Sequence, residues 1–302
     1  MSGSPQEAAP PTSTPGLAQG PLAGKMCAVA VTLLVLVVAF YAAVATAYGE
    51  ARRHREPAPR WARIVGPVSV AVHLAGLFLL SHQMARSPFA NGSQALSFLA
   101  FALAGSYLLL EATSRVASHG AGFYAVAACL TALSVPGLID GDPAAWAAGA
   151  PDPLRSLHVG LSLLCAAAVL AGGLLGVSYL GTYRRVKHGS LLGLDGEGRH
   201  GPSLRGFERL SRVASLLAVV LLLPSAVLGV YLAEHTGSGP NAGVIILSAT
   251  GFLLLLLLTG SSFLWWFRPR RGALASWLNL IAAVLLVLAF VVAHPLLIGR
   301  AS

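Results

Sequence analysis

Eight apolar runs, each long enough to cross a bilayer, leave this chain little choice of fold. A helix rises 1.5 Å per residue, so a hydrocarbon layer of roughly 30 Å takes about 20 residues. By that rule the runs fall near 26–48, 64–84, 95–115, 120–139, 156–181, 213–234, 243–267 and 273–298. Lipid offers the backbone no hydrogen bonds, so each run must satisfy its own N–H and C=O groups, which selects helices. The sequence therefore predicts an all-α, polytopic transmembrane helical bundle with about eight spans. Charged residues are 10% of the chain. A soluble domain carries about 25%, so a water-soluble globule is excluded. Pro67, Pro136 and Pro224 fall inside the second, fourth and sixth spans, where kinks are tolerated if neighbours satisfy the freed carbonyls.

Residues 1–24 are rich in Pro, Ser, Thr, Gly and Ala with Glu7 as the single charge, and are expected to be a disordered leader to an integral membrane domain over 25–302. The first apolar run begins after residue 25 and is long, so it is expected to stay in the membrane rather than be cleaved as a signal. Basic loops remain cytoplasmic. Arg52, Arg53, Arg55, Arg60, Arg63, Arg115, Arg184, Arg185, Lys187, Arg199, Arg205, Arg209, Arg212, Arg268, Arg270 and Arg271 fall on one side, sixteen in all. The other side has Lys25, Arg86, Arg155 and Arg300, with the acidic Asp140, Asp142 and Asp152. Sixteen against four puts both termini outside and the loop 182–212 in the cytoplasm, as expected of a multi-pass protein of the cytoplasmic membrane. The net charge of +9 then follows from topology, with lipid as the surrounding partner and no nucleic acid implied.

Chemistry-bearing motifs are few. The three cysteines lie within apolar runs, and neither a Cys-x-x-Cys-His haem-attachment motif nor a His-Glu-x-x-His zinc motif occurs. The stretch Gly193–Gly198 lacks the Gly-Lys-Ser/Thr end of a phosphate loop. No enzymatic acid–base equipment is visible. Gly172 and Gly176 make a Gly-x-x-x-Gly that is frequent by chance in such spans, and Trp265-Trp266 beside Arg268 reads as an interfacial anchor.

Ionisable residues at membrane depth are expensive, and so informative. His73 lies near the middle of the second span, as either a hydrogen-bonded structural imidazole or a ligand. Glu111 is one turn from the cytoplasmic end of the third span and reads as a snorkelling partner of Arg115. His82, His158, His235 and His294 gather on the outer side. Haem iron takes two axial ligands on one line, which neutral imidazoles from two helices can supply. His158 and His294, each at the outer end of a span among apolar neighbours, suit that geometry; ordinary interfacial histidines are the alternative.

The order of several segments resembles the cytochrome c assembly family, the haem-handling CcsA, CcmC and HemX types. Ser156-Leu157-His158-Val159-Gly160 is similar to its helix that opens on a histidine, and Pro202-Ser203-Leu204-Arg205-Gly206-Phe207-Glu208-Arg209-Leu210 to its cytoplasmic linker, with Phe207 replacing Leu. Arg270-Arg271-Gly272-Ala273 through His294 resembles its last basic turn, span and histidine. His73 and Asn91–Leu99 match the longer, eight-span members, so the likeness covers about 65–302. It implies haem b held axially by His158 and His294, an intramembrane role for His73, and assistance to cytochrome c maturation beside other biogenesis membrane proteins and apocytochrome c. Haem-delivering members carry a Trp-rich loop after the sixth span; here Glu234–Asn241 has no tryptophan, which points to the HemX-like branch. A different expectation is a haem-free membrane scaffold or regulator of haem metabolism that captures a partner through the basic loop 182–212.

Overall fold

The computed structural model describes residues 21–54, 56–83, 92–113, 119–139, 152–187, 204–235, 242–268 and 271–298, with side chains at 21–27, 83, 139, 242–244 and 291–298 outside the description. The expected leader lies almost wholly outside the described residues. The eight helices are α1 (Pro21–His54), α2 (Arg60–Gln83), α3 (Gly92–Thr113), α4 (Gly120–Ile139), α5 (Pro153–Lys187), α6 (Leu204–His235), α7 (Ala242–Phe267) and α8 (Gly272–Ile298). All eight are long and apolar enough to span a membrane, and no strand occurs among the described residues. This is a multi-pass, all-α membrane protein.

Neighbouring helices close into two rings. In the first, α1 packs on α2 and α4, and α3 completes the circuit between them. In the second, α5 packs on α6 and α8, with α7 between those two. Each is an up-down-up-down four-helix bundle, the arrangement that short connections between consecutive spans favour. α3 and α4 lie against α5 and join the bundles.

Three helices run well past the apolar runs at the basic end. α1 reaches His54, α5 reaches Lys187 and α6 starts at Leu204, so Arg52, Arg53, Arg184, Arg185, Arg205 and Arg209 ride on helical turns. Arginine and lysine are good helix formers and let a helix enter the headgroup layer with their charges outward. The expected linker around 202–210 is thus largely the first two turns of α6. Phe207 is fully buried there, under the edge of the His119 ring at 4.6 Å between centroids. Arg212 donates to the Trp265 carbonyl at 2.9 Å, pairs with Glu208 at 3.2 Å and lies over the Trp266 ring. Trp265 is no interfacial anchor. It is fully buried, edge-on to Tyr179, while its neighbour Trp266 is exposed.

Apolar side chains gain little by leaving lipid for each other, so close backbone approach must hold spans together. The Gly172–Gly176 pair, read from sequence as chance spacing, is part of that seam. A methyl built on Gly176 would stand 2.8 Å from the Ser276 carbonyl oxygen, and one on Gly173 would stand 2.6 Å from the Ala283 Cβ. α5 and α8 therefore touch backbone to backbone. Gly105 and Gly251 face open space. Replacing Gly176 by Leu should destabilise the detergent-solubilised protein by roughly 1–3 kcal/mol, the usual scale of overpacking, whereas Gly251→Ala should not; thermal unfolding of the two variants beside wild type checks this.

Candidate functional site

The outer end of the second bundle is built from a capped helix start. The Asp152 carboxylate accepts the Leu154 N–H at 2.9 Å and its carbonyl accepts the Ser156 N–H, with Pro153 at the first helical position. An Asp cap followed by Pro suits the unpaired donors of a first turn. His158 comes one turn later, half-buried against α6.

Its tautomer follows from its partner. The His158 Nδ1 lies 2.8 Å from the Ser225 carbonyl oxygen, which only accepts, so Nδ1 carries the hydrogen and donates it. A neutral ring then keeps the lone pair on Nε2. That is the arrangement in which ligating histidines are held, with one nitrogen fixed by a carbonyl and the other free to coordinate. Ser162 donates to the His158 carbonyl at 2.8 Å, so the 2.6 Å contact between Ser162 and Ser225 has Ser225 as its donor. Gly229, one turn beyond Ser225, makes the space for the ring: a methyl there would stand 2.9 Å from the His158 Cε1. Neither Ser225 nor Gly229 stood out in the sequence. The signal was present as a small-residue pair four apart on one face of α6, just after Pro224.

The α5–α8 seam sets which levels face each other. Position 176 meets 276, and 172 and 173 meet 279. The antiparallel helices thus pair positions whose numbers sum to about 452 along this seam. The described contacts of the His158 ring are with Ser225 and Gly229 of α6. His294 lies within α8, though its side chain is outside the described residues.

His73 belongs to a different assembly, the interior of the first bundle. It is fully buried, with Nδ1 3.1 Å from the Tyr41 hydroxyl on α1 and Nε2 2.9 Å from the Ser97 hydroxyl on α3. Both nitrogens are engaged, so His73 ties three helices together, the hydrogen-bonded reading of the two offered by sequence. Glu111 accepts from the Tyr48 hydroxyl at 2.8 Å. The expected partner Arg115 lies outside the described residues. His82 ends α2 beside Phe78, and His235 stacks on Tyr231 with its Nδ1 at the Tyr231 carbonyl. Three or more His, Cys, Asp or Glu side chains do not cluster as a metal site among the described residues.

A cleft of about 1240 Å³ separates the bundles on one flank, walled by α2, α3, α5 and α6, with Arg63 and Glu111 toward its basic end. His158 is not among its walls. The basic loop is described only at its helical ends, so residues 188–203 lie outside the described residues. Comparison of the chain with family models, with curated proteins and with solved structures gives no match.

Replacing His73 by Phe keeps the ring volume but leaves the buried Tyr41 and Ser97 hydroxyls without these partners, at a cost of roughly 1–3 kcal/mol for each stranded group. His82→Phe, at the exposed end of α2, should leave stability unchanged. Thermal unfolding in one detergent compares them.

Proposed function

We propose that this chain is a haem-binding protein of the cytoplasmic membrane that assists cytochrome c assembly, with His158 and His294 as the axial ligands. The observation that carries the reading is the fixed tautomer of His158, whose Nδ1 donates to the Ser225 carbonyl and leaves Nε2 as a donor to a metal. Both residues lie on helices of the second bundle, where α5 packs on α8, which supports a pair. The donor chemistry fits: neutral imidazole is a common iron ligand, and Leu157, Val159, Val291 and Val292 supply apolar neighbours in the sequence. When bound, haem would supply an iron centre that His158 and His294 would hold; the chain's own part is to hold the His158 imidazole in one tautomer.

The order of segments that resembles the CcsA, CcmC and HemX types supports the assignment to cytochrome c maturation, and the tryptophan-free stretch Glu234–Asn241 favours the HemX-like branch. Under this reading the protein is not itself an enzyme, and its partners are haem, other biogenesis membrane proteins and apocytochrome c.

Purified protein loaded with haem should give a Soret band and the sharp α and β bands of a six-coordinate, bis-imidazole iron on reduction. His158→Ala with His294→Ala should abolish them, and His73→Phe should not. Gly229→Ala, which crowds the His158 ring without removing a ligand, should weaken haem retention about tenfold, the lower end for disturbing groups that orient a ligand. An unchanged spectrum in the double variant would remove the assignment.

A further inference from the structure

The cleft between the bundles is apolar along most of its length and charged at one end, and the haem reading leaves it unused. Phe101, Leu109, Leu164 and Leu217 wall the apolar part, and Arg63 and Glu111 stand toward the basic end. From Phe101 to Glu111 is ten residues of α3, about 15 Å of helix, half of a hydrocarbon layer of roughly 30 Å. The cleft thus belongs to one leaflet, the one on the basic side. Gly105 lies midway along that wall, and a methyl built on it would meet nothing within 4 Å. A larger side chain there would stand in the groove, which the glycine leaves open.

The charged end carries both signs. The Glu111 Oε1 accepts from the Tyr48 hydroxyl at 2.8 Å, which fixes the carboxylate and leaves Oε2 with no partner among the described residues. Arg63 is exposed, and its charge acts on the same Tyr48 hydroxyl. The two charges are therefore neighbours. They are not paired with each other: the ion pairs among the described residues join Glu50 to His54 and Glu208 to Arg212. An ionised side chain at the membrane edge is expensive without a counter-charge. A guanidinium and a carboxylate side by side, each with bonding capacity to spare, match a ligand that brings an anion and a cation of its own.

We propose that this cleft holds one phospholipid of the basic-side leaflet whose head group is a zwitterion with a primary ammonium, as in phosphatidylethanolamine. An acyl chain lies in the groove past Gly105, the phosphate meets the Arg63 guanidinium, and the ammonium donates to Glu111 Oε2. Apolar contact selects no particular lipid, because acyl chains gain little by exchanging one another for leucine. Selection comes from the head group. A primary ammonium has three N–H donors, and its charge-assisted bond to a carboxylate is of the strong kind. A trimethylated ammonium has no N–H to give. A glycerol head brings the phosphate without a cation, and so leaves Glu111 uncompensated.

The test loads the full-length protein in detergent with phosphatidylethanolamine, phosphatidylcholine or phosphatidylglycerol of identical acyl chains, and measures retained lipid by native mass spectrometry. Wild type should hold phosphatidylethanolamine about tenfold more tightly than either of the others, the scale of one hydrogen bond to a charged group. Glu111→Gln keeps an acceptor for Tyr48 but loses the charge, and should bring phosphatidylethanolamine down to the level of phosphatidylcholine. Arg63→Gln should weaken all three lipids. Gly105→Leu should also weaken all three by filling the groove, with thermal unfolding no earlier than in wild type, since leucine is the better helix former. Equal retention of phosphatidylethanolamine and phosphatidylcholine by wild type, a preference for phosphatidylglycerol, or an unchanged preference in a folded Glu111→Gln overturns the proposal. Full retention in Gly105→Leu overturns it as well, and that arm and the wild-type comparison decide the matter if Glu111→Gln does not fold. Haem spectra are untouched by any of these results, so the two readings fail separately.

Discussion

The backbone contact between α5 and α8 is the constraint on which the rest of the second bundle hangs. Lipid supplies no pressure to bury apolar side chains, so helices stay together where small residues let their backbones meet. Gly172, Gly173 and Gly176 provide that on α5, against Ser276, Asn279 and Ala283 on α8. One contact of this kind fixes separation, depth and rotation together. α5 touches α3 and α4 as well as α6 and α8. The same helix thus carries the candidate ligand and joins the bundles.

The two bundles share a topology and divide the polar groups differently. The first has an aromatic interior, with Tyr41 against His73 and Tyr48, Tyr107 and Tyr124 buried together beside it. A tyrosine brings a large apolar body and one hydroxyl that needs a partner, so four of them in one interior make a packed core and a polar column at once. The second bundle is small and aliphatic at the seam and keeps its polar groups in pairs, as with Ser215 on Asn279 and Ser162 on Ser225. Pairs of that kind pin one helix to another without forming a column.

Span number and approximate position were legible in the sequence because both follow from hydrophobic length alone. What was not legible depends on partners distant in the chain. Arg212 looks like a loop residue until Trp265, 53 positions on, offers its carbonyl. Trp265 looks like an anchor because indole beside arginine is the usual membrane-surface pattern, and only the packing of Tyr179 shows it to be interior. The glycine seam was visible as a motif but not distinguishable from chance, since Gly-rich spans contain many such spacings; Gly105 and Gly251, which face nothing, illustrate why. The sequence placed His73 at mid-span and His158 at the outer end of its span, but could not say which ring nitrogens were already bonded. The difference is that one has both nitrogens bonded and the other only one.

That difference also shapes how a porphyrin would be held in the proposed site. Without tryptophan in Glu234–Asn241, stacked indoles cannot clasp its faces from that loop. Retention would rest on the axial bonds and on aliphatic helix walls. Because the Ser225 carbonyl holds His158 in one tautomer, the ring need not reorganise to bind, and the ordering entropy is already met by the fold. Under the proposed reading, ligands fixed by the fold and a tryptophan-free loop 234–241 would favour keeping haem within the membrane protein.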